Sequence, residues 1–466
     1  MSALNPGLIS EFKNVVGDRW VITDPTELLV YETDALAQHR RAPDAVVLPR
    51  TTEEVSSIMR LCHEHGVLVV ARGAGTGLSG GAVPIHGGII IGLSRMKSIL
   101  DIDYANRTAT MEAGATNLML SDHTTQHGYH FAPDPSSQAA CSMGGNVAEN
   151  AGGPHCLKTG VTANHVLGIE VVLFDGEVVN LGAEASEPLG YDLLGLFIGS
   201  EGTFGIATKI TLKLERLPQG LRTLKADFMT THEASQAVSD IIADGIIPTA
   251  LEFIDHRSIE IVEASVLAAG YPTDAAAVLV IEIDGLEASL DDQAERITRV
   301  CKKNNARSVA LALDDEERLK LWKGRKGTFG ALGRMNPDIF VQDAVIPRTK
   351  LAEVLEQIYE ICDGRDITMG AIAHAGDGNL HPNVTYDGRI PGERERVEEA
   401  MKEIMNVCIE AGGTITGEHG VGADKIGHMA RIFDSDSLEL MASVRRVWDP
   451  DRRLNPGKVV PEPDAA

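Results

Sequence analysis

Residues 72–81 read Arg-Gly-Ala-Gly-Thr-Gly-Leu-Ser-Gly-Gly, and this loop decides how the chain is interpreted. Its five glycines permit positive φ angles and let main-chain N–H groups converge on an anion. Part of the loop also fits G-x-G-x-x-G, a dinucleotide fingerprint that should open a helix. Pro84, Gly87 and Gly88 follow instead, so the pattern predicts an anion nest that joins strand to strand. Taken alone, the loop fits a mobile surface segment equally well.

Further segments of small residues lie downstream of this loop. Residues 131–137 read FAPDPSS, residues 141–153 read CSMGGNVAENAGG, and residues 199–205 read GSEGTFG. Because small residues let a ligand approach the main chain closely, several such segments in one domain indicate one extended ligand. A diphosphate joined to a flat heteroaromatic ring fits this description.

Composition excludes several classes of protein. The chain has 466 residues, of which 43% are hydrophobic and 23% charged, so it is an ordinary globular protein of two or three domains. A net charge of −25 argues against general nucleic-acid binding. The six cysteines form no C-x-x-C pair, and no signal peptide or membrane-length apolar run is visible. We therefore expect a cytoplasmic protein with no transmembrane segment.

The pattern of strands and helices changes along the chain. Residues 1–40 predict a helical N-terminal segment, and residues 41–220 hold the glycine-rich loops between short strands. Pro218 marks the end of that domain. Residues 221–412 alternate strand and helix in a pattern resembling a ferredoxin-like α+β sheet. Residues 413–466 contain a helix and are expected to pack back on the 41–220 domain.

A second group of reactive residues lies in residues 373–383, AHAGDGNLHPN. An Asp-Gly pair between strand-like residues predicts a two-residue hairpin, here with Asp377 and Gly378 at its tip. That register sets His374 directly opposite His381, with Cβ atoms about 4.5–5.5 Å apart. Two imidazoles at this spacing suit one metal ion.

A third ligand is available in residues 414–422, TITGEHGVG. Adjacent residues of an extended segment point in opposite directions. Glu418 is therefore expected to complete the metal site, while His419 faces the reacting substrate. The alternative for any single histidine is a structural role, but two in facing register beside Glu-His-Gly favour the metal.

The order RGAGTGLSGG, PDPSS, GGNVAENAGG, GSEGTFGI resembles the vanillyl-alcohol-oxidase or PCMH-type FAD-binding family over residues 40–220. The resemblance implies an α+β fold: a PCMH-type FAD-binding domain, a ferredoxin-like substrate or cap domain and a C-terminal helical segment. It also implies that residues 72–81 wrap the pyrophosphate. This loop lacks the histidine through which some relatives attach flavin, so we expect non-covalent FAD. The residues that the resemblance places along FAD are Arg72, Gly73, Ala74, Gly75, Thr76, Gly77, Ser79, Gly80, Pro133, Ser136, Ser137, Gly144, Gly145, Asn146, Glu201, Gly202, Ile206 and Asn455.

The motifs HAGDGNLH, GEHGVG and LNPGK resemble the C-terminal half of the FAD-linked 2-hydroxyacid dehydrogenases. This family includes the FAD subunit of glycolate oxidase, the branch this chain most resembles, and the D-lactate and D-2-hydroxyglutarate dehydrogenases. The resemblance implies a divalent metal, commonly zinc, held by His374, His381 and Glu418. It makes His419 the catalytic base and Asn383 a substrate contact.

Residues 321–326, LWKGRK, resemble the family segment that carries a substrate-carboxylate arginine, here Arg325. A guanidinium suits a carboxylate because it pairs with it in bidentate fashion. The alternative is a solvated basic helix face. Where the hydroxyglutarate enzymes carry a lysine, two residues before Asp343, this chain has Val341. That difference favours a small substrate such as glycolate or D-lactate.

The predicted activity is therefore FAD-dependent oxidation of a small 2-hydroxy acid to the 2-oxo acid. The sequence has no haem or iron–sulfur motif, so electrons must pass to a separate, non-NAD acceptor. The resemblance implies FAD-binding and iron–sulfur partner subunits, or another acceptor; a homo-oligomer and membrane association through partners stay open. The alternatives are a D-2-hydroxyglutarate dehydrogenase, a non-catalytic flavin-binding subunit, and a metallohydrolase without flavin.

Overall fold

The computed structural model of the protein describes residues 4–183 and 190–461 and mixes helices with strands, confirming the predicted α+β class. Contacts divide the chain into two compact units. The first comprises Met1–Gly152, Val161–Leu217 and Glu418–Ala466, and the second comprises Gly153–Gly160 and Pro218–Gly417.

The secondary structure of the described residues is as follows. The strands of the first unit are β1 (Val21–Ile22), β2 (Ala45–Val47), β3 (Val69–Arg72), β4 (Ile89–Gly92), β5 (Ile99–Asp103), β6 (Thr108–Glu112), β7 (Tyr129–His130), β8 (Val166–Val172), β9 (Val178–Gly182), β10 (Ile206–Lys213) and β11 (Glu215–Arg216). Those of the second unit are β12 (Gly220–Phe228), β13 (Ala250–Asp255), β14 (Ala277–Gly285), β15 (Ser308–Leu311), β16 (Asp338–Val341), β17 (Ala344–Val345), β18 (Thr368–His374) and β19 (Asn379–Tyr386). The α-helices are α1 (Pro6–Val16), α2 (Pro25–Leu28), α3 (Thr52–His65), α4 (Asn117–Thr124), α5 (Met143–Glu149), α6 (Cys156–Thr159), α7 (Leu193–Phe197), α8 (Thr231–Ala243), α9 (His256–Glu263), α10 (Glu287–Lys303), α11 (Asp315–Leu332), α12 (Leu351–Asp363), α13 (Glu393–Glu410), α14 (Met429–Ile432) and α15 (Ser435–Trp448).

The first unit contains a four-stranded sheet, β1-β2-β4-β3, and a five-stranded antiparallel sheet, β5-β6-β10-β8-β9. Strand β4 runs parallel to both β2 and β3. Its Ile89 and Ile91 join the main core of the unit, whereas Ile90 joins a second cluster on the other face. An uninterrupted apolar run is what a parallel strand buried on both faces requires.

Helix α3 packs into the main core of the first unit and shows a one-residue correction to its expected start. The sequence predicts Thr52 as the N-cap, but the Oγ1 atom of Thr51 accepts from the Glu54 amide at 3.2 Å. Thr52 instead donates its hydroxyl to Glu170 Oε1 at 2.6 Å. Two adjacent threonines compete for the cap, and the residue with extended backbone takes it. The helix ends before Gly66, whose left-handed conformation is the usual one for a glycine that stops a helix.

The second unit is built on one large antiparallel sheet. Its strand order begins β15-β12-β14-β13, with α8 between β12 and β13 and α10 between β14 and β15. This order, in which the first strand lies between the fourth and the third, is that of a ferredoxin-like βαββαβ unit. The predicted ferredoxin-like sheet is thus present. The hairpin of β18 and β19 extends it beyond β13, and β16 and β17 both pair with β19.

Candidate functional site

The glycine loop of the first unit runs from the end of β3 to the start of β4 without a helix, as the sequence predicts. Gly75 and Gly80 have φ angles of +73° and +72°, which side chains rarely adopt. Ser79 is fully buried, and its Oγ atom has no hydrogen-bond partner among the described residues. Because a buried hydroxyl is normally hydrogen-bonded, Ser79 indicates that this loop is shaped for a polar ligand.

The loop lies against the start of α5, another of the predicted cofactor segments. A Cβ atom on Gly73 would lie 2.0 Å from Ser142 Oγ, and Ser142 caps α5 by accepting from the Gly145 amide at 3.2 Å. A Cβ on Gly144 would lie 2.9 Å from the Cβ of Ala113. The absence of side chains at Gly73 and Gly144 therefore lets three stretches of main chain pack at close range.

The remaining predicted cofactor residues occupy varied positions in the first unit. Pro133 lies in a buried stretch where its carbonyl oxygen accepts from Asn117 Nδ2 at 3.0 Å, whereas Ser136 is exposed. The carbonyl oxygen of Ser137 accepts from the Cys141 amide at 2.8 Å. Ile206 is 1% exposed and opens β10 within the core.

The C-terminal LNPGK segment, residues 454–458, is hydrogen-bonded to the end of the glycine loop. The Asn455 amide nitrogen donates to Val69 O at 2.7 Å, and its side-chain Nδ2 donates to the carbonyl oxygens of Gly81 and Glu201 at 2.9 and 2.7 Å. Buried Lys458 donates to Asn455 Oδ1 at 3.0 Å. Asn455, predicted as a cofactor residue, thus joins the glycine loop to the 199–205 turn.

Glu201 has a role that the sequence did not indicate. Its side chain is nearly buried, and its two carboxylate oxygens accept from the main-chain amides of Val421 and Gly422 at 2.7 and 2.8 Å. A Cβ on Gly420 would lie 2.1 Å from Glu149 Oε2 and 2.8 Å from Glu201 Oε1, so both carboxyl groups press on this turn. Glu201 therefore holds the turn that directly follows His419.

Burial is the largest cause of the shifted pKa values of Glu201 and Glu149. It raises the pKa of Glu201 to about 7 and raises the pKa of Glu149 well above its usual range, with Glu201 as a further cause for Glu149. Burial also lowers the pKa of the neighbouring Lys458 to about 8. Both carboxyl groups thus favour their neutral forms relative to exposed glutamates.

We expect the raised pKa of Glu201 to make the free energy of unfolding depend on pH. Because the folded protein binds the Glu201 proton more tightly than the unfolded chain does, the stabilisation is complete below about pH 4.5 and is lost as the pH rises through about 7. The wild-type protein should therefore lose thermal stability relative to Glu201→Gln between pH 5 and pH 8. Parallel melting curves across that range check this, and a pH-independent difference between the two proteins would contradict it.

The hairpin of the second unit departs from the predicted register. His374 pairs with Asn379 and Ile372 pairs with His381, so the loop has four residues, 375–378, instead of two. The amide of Gly378 donates to His374 O at 3.0 Å, and Gly378 has a φ of +81°. A Cβ there would lie 2.1 Å from the Ile346 carbonyl oxygen, so packing against that neighbouring segment determines the wider loop. The two histidines are diagonal, not directly opposite as predicted.

Both histidines still lie on one face of the sheet, because the shift is by an even number of residues. Their ring centroids are 5.3 Å apart with planes at 87°, and both side chains are buried. His374 Nδ1 is 2.8 Å from Glu252 Oε1, and His381 Nδ1 is 3.3 Å from the Gln342 carbonyl oxygen. In both rings Nδ1 is engaged by the protein, so Nε2 is the atom that each would offer to a metal.

Arg325 lies on α11 and is only 3% exposed, which excludes the solvated helix face considered above. Its Nη2 atom is 2.5 Å from Glu252 Oε2. The Nε atom of this guanidinium has no hydrogen-bond partner among the described residues. A buried guanidinium with an unsatisfied donor is suited to an anionic ligand.

Asn383, predicted as a substrate contact, is 1% exposed. Its Nδ2 atom donates to the carbonyl oxygens of His381 and Gly370 at 2.8 and 3.3 Å. The structure thus places its amide nitrogen on the main chain of the hairpin that carries both histidines.

Glu418 and His419 belong to the first unit, and both are partly exposed. They follow Gly417, the last residue of the second unit. A Cβ on Gly417 would lie 2.6 Å from Asn379 of the hairpin, so a side chain is not tolerated at that point.

Glu252 is the site residue that the sequence analysis missed. It stands in the middle of β13, Ala-Leu-Glu-Phe-Ile-Asp, in which every residue is buried. A carboxylate flanked by apolar residues inside a strand was the available signal, because a buried charge requires partners. Those partners, His374 and Arg325, are distant in sequence.

Comparison with known proteins places these features in a family. Residues 43–182 match the FAD binding domain, and residues 217–459, more than half of the chain, match the C-terminal domain of FAD linked oxidases. The glycolate oxidase subunit GlcD of Escherichia coli (strain K12) is 46% identical over 93% of this chain and 87% of its own length. GlcD of Bacillus subtilis is 43% identical over 92% of both chains, and the D-lactate dehydrogenase of Archaeoglobus fulgidus is 35% identical over 92% and 94%.

Solved structures confirm the fold. A p-cresol methylhydroxylase with substrate bound superposes with a TM-score of 0.83 at 18% identity, covering 97% of this chain and 96% of the other. The 4-ethylphenol oxidase of Gulosibacter chungangensis gives 0.80 at 20% identity with the same coverage. In the part of the chain that the structure covers, no helix combines the length and apolar character needed to cross a membrane. The fold is thus of the PCMH type, and the chain belongs to the FAD-linked oxidases, with an FAD-binding domain in its first unit.

Proposed function

We propose that this protein catalyses the FAD-dependent oxidation of a small 2-hydroxy acid, glycolate or D-lactate, to the corresponding 2-oxo acid. One observation carries the proposal: a buried carboxylate, Glu252, holds both an imidazole of the His374/His381 pair and the guanidinium of Arg325. Arg325, which would bind the substrate carboxylate, thus shares a partner with His374, which would hold the metal that binds the substrate hydroxyl. The names of the glycolate oxidase and D-lactate dehydrogenase relatives support the same substrate class.

The residues of the first unit fit FAD. Glycines at positions 73, 75 and 80 remove side chains where main chain must come close to the pyrophosphate, and buried Ser79 retains an unsatisfied hydroxyl. Residues 72–81 contain no histidine, which supports non-covalent binding. The chemistry supplied by bound FAD is two-electron oxidation, with a hydride accepted from the substrate carbon.

A matched pair of variants tests the glycine loop. Gly75→Ala places a side chain at a φ of +73°, at a strain cost of roughly 1–2 kcal/mol, and we expect FAD affinity to fall about tenfold. Gly245→Ala is the control, because it places a side chain at a similar φ of +80° with no atom within 4 Å and lies outside the predicted cofactor segments. Equilibrium titration of the apoprotein with FAD measures both. Equal affinities in the two variants would show that the loop does not hold the cofactor.

The imidazole pair also fits a divalent metal. Two neighbouring, buried rings whose Nδ1 atoms are held by protein acceptors are typical of zinc sites. From the family motif we assign Glu418 as the third ligand. The chemistry supplied by the metal is Lewis-acid stabilisation of the substrate oxygen as it loses its proton.

The residues of the chain then have separate tasks. Arg325 binds the substrate carboxylate through the donors that Glu252 leaves unused, which fixes the orientation of the small acid. His419 takes the hydroxyl proton, since imidazole is the side chain best matched to proton transfer near neutral pH. Buried Val341 on β16 offers no cation for a second carboxylate, which favours a small substrate over 2-hydroxyglutarate.

Electrons must leave by a route outside this chain. The C-x-x-C-H haem motif and iron–sulfur cysteine runs are absent from the sequence, and its six cysteines, all among the described residues, form no disulfide. We infer that the acceptor is a partner subunit or another redox carrier, and the word subunit in the names of the GlcD relatives supports this. The lack of disulfides among these cysteines supports a cytoplasmic location.

Anaerobic mixing tests the function. The purified yellow protein is mixed with glycolate, D-lactate, L-lactate or D-2-hydroxyglutarate while the flavin absorption band is followed. We expect rapid bleaching with glycolate or D-lactate. Bleaching by D-2-hydroxyglutarate alone would reassign the substrate, and a protein that bleaches with none of the four would contradict the proposed activity.

A further inference from the structure

Glu252 is a fully buried charged residue on the second-unit sheet face that carries the histidines. Its exposed fraction is 0%, and it lies on the central strand β13 between β14 and β18. Taking a carboxylate out of water costs several kcal/mol unless it is paired and hydrogen-bonded. A residue placed at such a cost in an apolar strand requires an explanation from its contacts.

Its two oxygen atoms are used for different partners. Oε1 is 2.8 Å from His374 Nδ1, and Oε2 is 2.5 Å from Arg325 Nη2. His374 comes from the neighbouring strand, in register with Glu252, and Arg325 comes from helix α11. One carboxylate therefore sets the ring orientation of a proposed metal ligand and the position of the proposed substrate arginine.

This arrangement also determines which nitrogen of His374 is available. An Nδ1–H that donates to a carboxylate leaves the lone pair on Nε2, which is the tautomer that binds a metal. The negative charge makes the ring a stronger ligand. The same carboxylate forms an ion pair with Nη2 of the Arg325 guanidinium.

We propose that Glu252 is a positioning residue that couples metal binding at His374 to carboxylate binding at Arg325. Any ligand that orders one partner orders the shared carboxylate, and the shared carboxylate orders the other partner. By linkage the effect is reciprocal: metal tightens binding of the acid, and the acid tightens binding of metal. This inference rests on the proposed function, since it assumes both ligands.

Glu282 offers a matched control on the same face. It pairs with Ala250, two residues before Glu252 on β13, and it is also buried. Its Oε2 atom accepts from both Thr223 Oγ1 and Trp322 Nε1, at 2.6 and 2.8 Å. A glutamine at 282 can keep these two bonds with its oxygen and direct its NH₂ group at His155 Nε2, which lies 3.3 Å from Oε1 of the glutamate. A glutamine at 252 cannot, because its NH₂ group must face either the histidine N–H or the guanidinium.

The experiment compares Glu252→Gln with Glu282→Gln in the FAD-loaded protein. Zinc affinity is measured by competition with a chromophoric chelator, and KM and kcat are measured with glycolate. For Glu252→Gln we expect zinc affinity to fall about 10- to 100-fold and KM to rise about tenfold or more. Both quantities should stay within about threefold of wild type in Glu282→Gln, and FAD content should be the same in all three proteins.

The coupling itself is read in the wild-type protein. Saturating glycolate, added anaerobically, should tighten zinc binding in wild type and have no effect in Glu252→Gln. If Glu252→Gln does not fold, Glu252→Asp serves instead, because the shorter side chain cannot reach both partners.

The outcomes separate this inference from the proposed function. Wild-type protein that oxidises glycolate while Glu252→Gln keeps normal zinc affinity and KM overturns the inference alone. Equal losses in Glu252→Gln and Glu282→Gln also overturn it, since any buried charge would then be responsible. Wild-type protein that takes up no zinc and oxidises no 2-hydroxy acid overturns both.

Discussion

Replacing His374 by alanine is expected to remove the divalent metal and to lower kcat/KM for the 2-hydroxy acid by about 10³-fold or more. Lewis-acid stabilisation of a developing alkoxide contributes several kcal/mol, and each 1.4 kcal/mol is tenfold in rate. The substitution also removes the partner of Glu252 Oε1, so that one lone carboxylate oxygen stays buried. Metal content and steady-state kinetics with glycolate and D-lactate measure the two effects.

The control for this variant is His232→Ala, which removes an exposed histidine from helix α8 of the same unit. It should keep metal, FAD and activity. Because His374 is buried, His381→Asn provides a second and smaller change at the same face. A folded His374→Ala or His381→Asn protein with full metal content would disprove the assignment of these rings as ligands.

Replacing His419 by alanine should lower kcat by about 10²- to 10⁴-fold, the usual contribution of general base catalysis. FAD and metal should both remain bound, because the residue is assigned to proton transfer alone. The main-chain turn that follows it is held separately, by the amides of Val421 and Gly422 on Glu201. Rapid-scan measurement of flavin bleaching in the first turnover reads the affected step directly.

His123→Ala, at an exposed position on α4, is the control for that variant and should leave the bleaching rate unchanged. If His419→Ala bleaches its flavin as fast as wild type does, the proton must go to another group.

Much of the fold and part of the site follow from local patterns. The glycine loop between β3 and β4 was predictable because Pro84 and the glycines after it exclude a helix. The ferredoxin-like strand order was predictable because alternating strands and helices with short connections leave few topologies. The position of both histidines on one face was predictable because side chains alternate along any strand.

The hairpin register was not predictable from the Asp-Gly pair. That rule assumes a hairpin shaped by its own turn, whereas here the main chain near Ile346 comes within contact of Gly378. The contacts of the Glu201 carboxylate could not be predicted for a similar reason. Its motif indicates a cofactor segment, but its carboxylate binds amides more than 200 residues later in the chain.

The sequence by itself determined an extended diphosphate ligand, the alternation of strands and helices and the residue types available for chemistry, because glycine spacing and side-chain alternation act over a few residues; FAD followed from the family resemblance. Only the tertiary structure decided which charges share a partner. Glu252 meets His374 and Arg325 because two neighbouring strands and a helix bring them together. A buried carboxylate has a stable place only where such partners converge, and that convergence is a property of packing between distant segments.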